Sequence, residues 1–420
     1  MLTKKNFFTL AIGALLLAAI MLNSVGCAIK VQAANLMEGI EPNNVEGKTS
    51  DEEFIGATSD FAVKLFKKTV TEGENSLISP LSVMLALAMT ANGADNATKT
   101  QMEALLGGTK TIDTLNEYLY TYVKSLPSGE KSKVKIANSI WFRDDEYRLT
   151  IDRNFLQKNA DYYGASVYKS AFDGQTLKDI NGWVKQNTDG MINKILDQIS
   201  DDSVMYLINA IVFDAEWETV YMKNDIYKGV FTNYDGTEQS VEMMSSGESK
   251  YIDDGKATGF IKNYKNGDYG FAVLLPNEGV DVDDCIASLT GEGFVSAIKN
   301  AKTASVTAVL PKFSYDYSVL MNEQLKALGM TDAFNSLTAD FSKLGKSERG
   351  NIYIFEVLHK TFISVDELGT KAGAVTKVEV MDECEIEMDY CVTLDRPFVY
   401  AIVDNATGLP IFLGTVMSLG

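Results

Sequence analysis

The apolar positions change rhythm several times along the chain. Phe7 to Leu22 is an apolar block interrupted only by Thr9 and Gly13. From Asn35 to Glu53 no period is present, and Pro42, Asn43, Asn44 and Gly47 fall within that stretch. Helical spacing then begins: Phe61, Leu65, Phe66 and Val70 follow Thr58-Ser59-Asp60, which can cap a helix. Ser79-Pro80 starts a second helix, since proline suits the first helical position, where its missing N–H would be unpaired anyway. That helix is apolar almost all round through Met89, so it should be buried, and Asn92-Gly93 ends it. A third helix is expected over Ile180–Leu196, carrying Trp183, Val184, Ile192 and Ile195. Strand-like runs occupy Val134–Trp141, Val204–Phe213, Gly270–Leu275, Ala304–Val309 and Ile352–Val365. The C-terminal part alternates short strands with turns: Val392–Leu394, Phe398–Val403, a turn at Asn405–Gly408, then Leu409–Thr415. Helices early and strands late point to an α+β fold rather than regular βαβ winding.

One segment has a pattern of its own. After Val365-Asp366-Glu367, one face of a period-two alternation reads Thr370, Ala372, Ala374, Thr376, Val378 and Val380. The opposite face reads Lys371, Gly373, Val375, Lys377 and Glu379. Small or β-branched residues on one side and mostly polar residues on the other make a half-buried strand. An acidic tract, Met381 to Asp389, follows. The pattern admits two readings: a strand followed by a loop, or a loop in one state that is a strand in another.

Composition narrows the chemistry. The chain has 420 residues, 46% of them hydrophobic, which suits a large folded core. Its formal net charge of −19 opposes general nucleic-acid binding, which needs basic residues against phosphates. It also opposes a polybasic membrane-surface role. There is one histidine, His359, so a His-rich metal site is excluded and a catalytic triad has one candidate base. Four cysteines, Cys27, Cys285, Cys384 and Cys391, are too few and too scattered for a disulfide scaffold or a paired zinc motif. No metal or cofactor is implied.

Lys4, Lys5 and the apolar block read as a secretion signal over residues 1–33. Two processing readings compete. Ser24-Val25-Gly26-Cys27 resembles a bacterial lipobox, with Ser24 where leucine is usual; Cys27 would then carry the lipid. Val31-Gln32-Ala33 offers an ordinary cleavage site instead. An uncleaved anchor is a third reading, and in all three the folded part is expected to be extracellular, secreted or membrane-anchored. Residues 34–53 read as an acidic flexible tether, and 54–420 as one domain.

Several ordered blocks resemble the serpin family of serine protease inhibitors. Asn75 to Ser82 matches an Asn-x-x-x-Ser-Pro-x-Ser block that continues to Gly93-Ala94 and Thr98. Asn209, Phe213 and Trp217 match a strand-and-tryptophan block. Pro311-Lys312-Phe313, Leu328-Gly329-Met330, Phe334 and Ala339-Asp340-Phe341-Ser342 follow in order. His359-Lys360 then precedes Glu367-x-Gly369-Thr370-x-Ala372, the family's hinge, and Leu394 to Tyr400 matches its C-terminal signature.

The resemblance implies three β-sheets, about nine helices and an exposed reactive-centre loop. It implies no enzyme. A serine protease attacks the loop, and the cut loop enters the largest sheet as a strand before the acyl-enzyme is resolved. Thr370 to Asp382 spans 13 residues, roughly 44 Å when extended. The hinge set is Glu367, Gly369, Thr370, Ala372, Ala374 and Thr376; none of its inward positions is charged. Lys371, Gly373 and Val375 depart from the family pattern but lie on the outward face. The resemblance puts the cut bond about sixteen residues after Glu367, at Glu383–Cys384. Counting back from Pro397 points nearer Ile386. The corresponding partner is a glutamyl endopeptidase-like or a subtilisin-like serine protease, met by a monomer. Cys384 and Cys391 read as two free thiols; the alternative is a bridge between them in an oxidising location, which would be a redox switch on insertion if the cut lay between them. The resemblance further places Ser79, Ser82, Asn209 and His359 in a "shutter" under the parting strands, and Trp217 and Lys312 in the "breach" at their top. There Lys312 would pair with Glu367. The alternative reading is a non-inhibitory binding protein on the same fold.

Overall fold

The computed structural model describes residues 31–144, 149–348, 350–370 and 389–420. The expectations placed on Cys27, Ala372, Ala374, Thr376, Glu383 and Cys384 lie outside those residues, as does the rest of 371–388.

Three sheets and nine α-helices are present among the described residues. The large sheet has seven strands. Its spatial order is Ala34–Asn35, Ser166–Ser170, Ser132–Arg143, Met205–Glu216, Gly369–Thr370, Glu356–Val365 and Phe313–Leu320. A nine-stranded sheet contains the C-terminal hairpin Phe398–Asp404 and Pro410–Val416, and a two-stranded sheet joins Leu149–Ile151 to Gly345–Ser347.

The strand periodicities correspond to real strands with ends shifted by up to three residues, apart from the run at Ile352, which becomes regular only at Glu356. The apolar helix is Pro80–Ala91, and all twelve of its residues are buried. It packs against the Ser132, Met205 and Pro410 strands, which explains an apolar surface on every side. Ser79 caps it, its hydroxyl accepting from Ser82 N–H.

Two helix expectations are corrected. The first helix runs Glu52–Thr69 and is capped by Asp51, which accepts from Phe54 N–H at 2.8 Å. Thr58 and Ser59 are therefore interior and buried; Ser59 donates back to Gly56 O. An aspartate followed by two glutamates is the better start, because negative charge is favoured at a helix N-terminus. The helix expected over Ile180–Leu196 is instead Gly174–Asn187, opened by an Asp173–Thr176 capping box. Gly190, at φ +82°, turns the chain away. Ile192 and Ile195 still pack beside Trp183 and Val184, in a second apolar cluster outside the helix.

Residues 34–53, expected as a tether, lie along the body. Ala34 and Asn35 pair with Lys169 and Tyr168. Buried Asp179 accepts from the N–H groups of Gln32 and Ala33 at 2.9 and 2.7 Å. Asn43 N–H donates to Asp161 at 2.7 Å, and Lys48 pairs with Glu117. A lack of periodicity marks the absence of regular structure, not the absence of partners on other elements.

Candidate functional site

The seam of the large sheet lies between the Met205–Glu216 and Glu356–Val365 strands. They pair directly, in parallel, only over Tyr206–Ala210 against Glu356–Lys360. Above that stretch Gly369–Thr370 stands between them, antiparallel to Glu216 and Ala215 and with Thr370 opposite Val365. The sheet is therefore closed below, wedged open above, and parted in the middle. The gap is a narrow cleft lined by Ile211, Phe213, Phe362, Ile363 and Thr370 among others.

Directly under the closed part is a buried polar cluster. Asn138, Asn209 and His359 sit side by side on three neighbouring strands, because the registers pair Asn138 with Asn209 and Asn209 with His359. His359 Nε2 accepts from Ser79 N–H at 3.0 Å, at the start of the buried helix. That bond assigns the ring proton to Nδ1, which donates to Asn209 Oδ1. Asn209 Nδ2 donates to Ser82 Oγ at 2.6 Å and to Asn138 Oδ1 at 2.7 Å. Asn138 Nδ2 donates in turn to Ser82 O. Burial pushes the His359 imidazole down to about 3, so the ring is neutral at ordinary pH. A neutral ring held at both nitrogens joins two strands and the start of a helix.

At the top of the seam the chain turns through Asp366–Leu368. Asp366 N–H donates to Gly369 O, and Asp366 Oδ1 accepts from Leu368 and Gly369 N–H. Three consecutive carbonyls of this turn are held from the neighbouring segment. Trp217 Nε1 donates to Asp366 O at 2.8 Å, Tyr221 N–H to Glu367 O at 3.0 Å, and Trp217 N–H to Leu368 O at 2.9 Å. Trp217 is fully buried and stacks on Tyr264 at 4.5 Å, while the Tyr264 hydroxyl meets that of Thr370. Position 369 admits only glycine: a Cβ there would lie 2.0 Å from Ala215 O.

Lys312 pairs with Glu367 at 2.8 Å and with Glu242 at 3.2 Å. The hydrogen bond from Lys312 holds the Glu367 carboxyl below its ordinary value, against the opposing effect of partial burial. Burial acts to lower the Lys312 ammonium, but its bonds to Glu367 and Glu242 outweigh this and raise it.

A polar lock thus lies beneath a half-open seam that is topped by a wedged hinge. A family model described as Serpin (serine protease inhibitor) matches residues 56–419. The chain belongs to the serpin family.

Its similarity to other serpins is long-range. An uncharacterized serpin-like protein of Thermococcus kodakarensis is 28% identical over 375 residues, covering 87% of this chain and 85% of the relative. Leukocyte elastase inhibitor A of Rattus norvegicus is 29% identical over 384 residues, covering 87% of this chain and all of the relative. Among solved structures, the thermophilic serpin tengpin in the native state is 57% identical, with a TM-score of 0.89, covering 93% of this chain and 100% of that one. Human thyroxine-binding globulin, at 23% identity and a TM-score of 0.77, covers 87% of this chain and 98% of its own, and shares the fold alone.

The structure brings Ser79, Ser82, Asn209 and His359 together, and separately Trp217, Lys312, Glu367, Gly369 and Thr370. Sequence reasoning missed Asn138, a lone amide in an apolar strand run, whose interruption of that run was a usable signal. It also missed Tyr221 and Tyr264, which touch the hinge, and Lys262 and Glu248, which stand behind Tyr221 and Trp217. Nothing local in their segments marks them. Among the described residues, Cys285 is buried and Cys391 exposed; a Cys384–Cys391 bridge lies outside them.

Proposed function

We propose that this serpin is an inhibitor that traps serine endopeptidases as a suicide substrate, through cleavage in 371–388 and insertion of the cut segment into the seam. The observation that carries this reading is the wedged pair Gly369–Thr370, which already occupies an antiparallel strand position with partners on both sides. Continuing that register gives a specific arrangement. With Thr370 opposite Ala215, Ala372 falls opposite Phe213, Ala374 opposite Ile211 and Thr376 opposite Asn209. On the other side, with Thr370 opposite Val365, Thr376 falls opposite His359. Insertion therefore parts the Asn209–His359 pair and sets a threonine hydroxyl between them. That hydroxyl both donates and accepts, so it can serve the two groups that the bond joined. The small, uncharged residues at the other inward positions pass between the strands without a buried charge.

Ordering the new strand adds backbone hydrogen bonds along two edges, which favours insertion once the loop is cut. Cleavage after Glu383 favours a glutamyl endopeptidase-like enzyme; cleavage at Met381 or Ile386 favours a subtilisin-like or elastase-like one. The site of action is proposed to be extracytoplasmic, supported by Lys4, Lys5 and the apolar block, with Cys27 the candidate for lipid attachment.

The deciding experiment incubates the full chain with subtilisin, an elastase and a glutamyl endopeptidase. A covalent complex that survives denaturing electrophoresis is expected, and mass spectrometry of the released peptide locates the bond. Thr370→Arg should convert the inhibitor to a cleaved substrate, because a guanidinium would be driven against Tyr264 in the core. Cleavage of the wild type without a complex and without a rise in melting temperature would overturn the reading.

A further inference from the structure

Behind the hinge lies a buried ion pair. Lys262, on the strand Ala257–Asn263, and Glu248, on the strand Glu238–Asp253, meet at 2.8 Å. Their side chains are only 2% and 12% exposed. Ser246 Oγ donates to Glu248 Oε1 at 2.7 Å and lies 3.3 Å from the Tyr221 hydroxyl. The Lys262 ammonium sits 4.4 Å from the ring centre of Tyr221 and 5.5 Å from that of Trp217. Those are the two residues whose N–H groups hold the carbonyls of Asp366, Glu367 and Leu368.

A buried ion pair is a poor way to stabilise a fold, because apolar side chains of similar volume often do as well or better. A cation against two aromatic faces, however, fixes the orientation of both rings. We propose that Lys262, neutralised by Glu248, is a positioning residue for strand insertion: it holds Trp217 and Tyr221 so that the hinge turn stays clamped and Gly369–Thr370 stays in register as the nucleus of the new strand. The proposal rests on the inhibitory reading above. A released clamp leaves the nucleus unformed when the loop is cut. Insertion is then slower, and more of the acyl-enzyme hydrolyses before capture.

The test replaces both partners, Lys262→Met with Glu248→Met, so that no unpaired charge stays buried. Lys262→Gln with Glu248→Gln is a second, neutral variant that carries the same expectation should the first not fold. Lys262→Arg keeps the cation. Two readouts are taken on the full chain. Hydrogen exchange of peptides covering 217–221 and 366–370, without protease, should be roughly fivefold faster in the double variants. The cleaved inhibitor produced per covalent complex with a captured protease should rise by a similar factor. Melting temperature should hold or increase, and Lys262→Arg should resemble the wild type in all three. Unchanged exchange and unchanged partition in a folded double variant would overturn the proposal. A wild type that captures no protease would overturn the inhibitory reading instead, while the exchange measurement would still judge the clamp.

Discussion

His359 shows how burial turns a potential catalyst into a fastener. Its ring is neutral because a charge there would be desolvated, and both nitrogens are committed. The consequence for stability has a definite sign. Unfolded, the imidazole takes a proton below its ordinary value of 6.5; folded, it resists until about 3. The unfolded state therefore binds more protons between those values, so stability from this residue is complete above 6.5 and is lost as pH falls through the window. The slope approaches about 1.4 kcal/mol per pH unit. His359→Gln should flatten the fall in melting temperature between pH 6.5 and 4 relative to the wild type, although the variant starts lower. An identical pH slope in the two proteins would refute this account. Glu367 behaves as a carboxylate with a depressed value: its stabilising hold on Lys312 is complete above the ordinary 4.5 and is lost as pH falls from there through the lowered folded value.

At the scale of elements, the hinge is ordered by close approach. Gly369→Val should expel the wedged pair, because a Cβ would meet the carbonyl of Ala215 and no neighbour can yield there. We expect faster hydrogen exchange at 366–370 and a larger share of cleaved substrate when the variant meets a protease. Exchange equal to that of the wild type would show that the wedge does not depend on this glycine. The elements themselves were unevenly legible. The all-apolar Pro80–Ala91 helix and the strand run that became Met205–Glu216 were plain, since both are buried on every side and their composition says so. The sixteen-residue strand Glu238–Asp253 was not, because five polar residues and Gly247 fill Ser245–Lys250 in its middle and its ends alternate weakly. It is a strand because neighbours on both sides supply its hydrogen bonds. The first helix was misplaced at its start for a similar reason: Thr58 and Ser59 have capping chemistry, but Asp51 reaches the open N–H groups first.

For the whole molecule, the large sheet is left one strand short of closing its own seam. Its two central strands pair over five residues and then part around a two-residue wedge. A completed strand would add about a dozen backbone hydrogen bonds, each contributing on the order of 1 kcal/mol. Cleavage within 371–388 should therefore raise the melting temperature by on the order of 10 °C or more. Calorimetry before and after limited proteolysis measures it, and a cut chain that melts no higher would mean that the seam does not fill.

The sequence by itself determined the fold class and the alternating hinge pattern, because burial and strand period are written in local residue order, while its resemblance to the serpin family supplied the family and four lock residues, Ser79, Ser82, Asn209 and His359. Only the tertiary structure decided that Asn138, Asn209 and His359 share one level of the sheet, and that Lys262 and Glu248 stand behind Trp217. It also decided that residues 31–53 lie against the body. Those relations depend on strand register and on contacts between segments far apart in the chain. Register is set by the sum of many pairings, so no single segment records it.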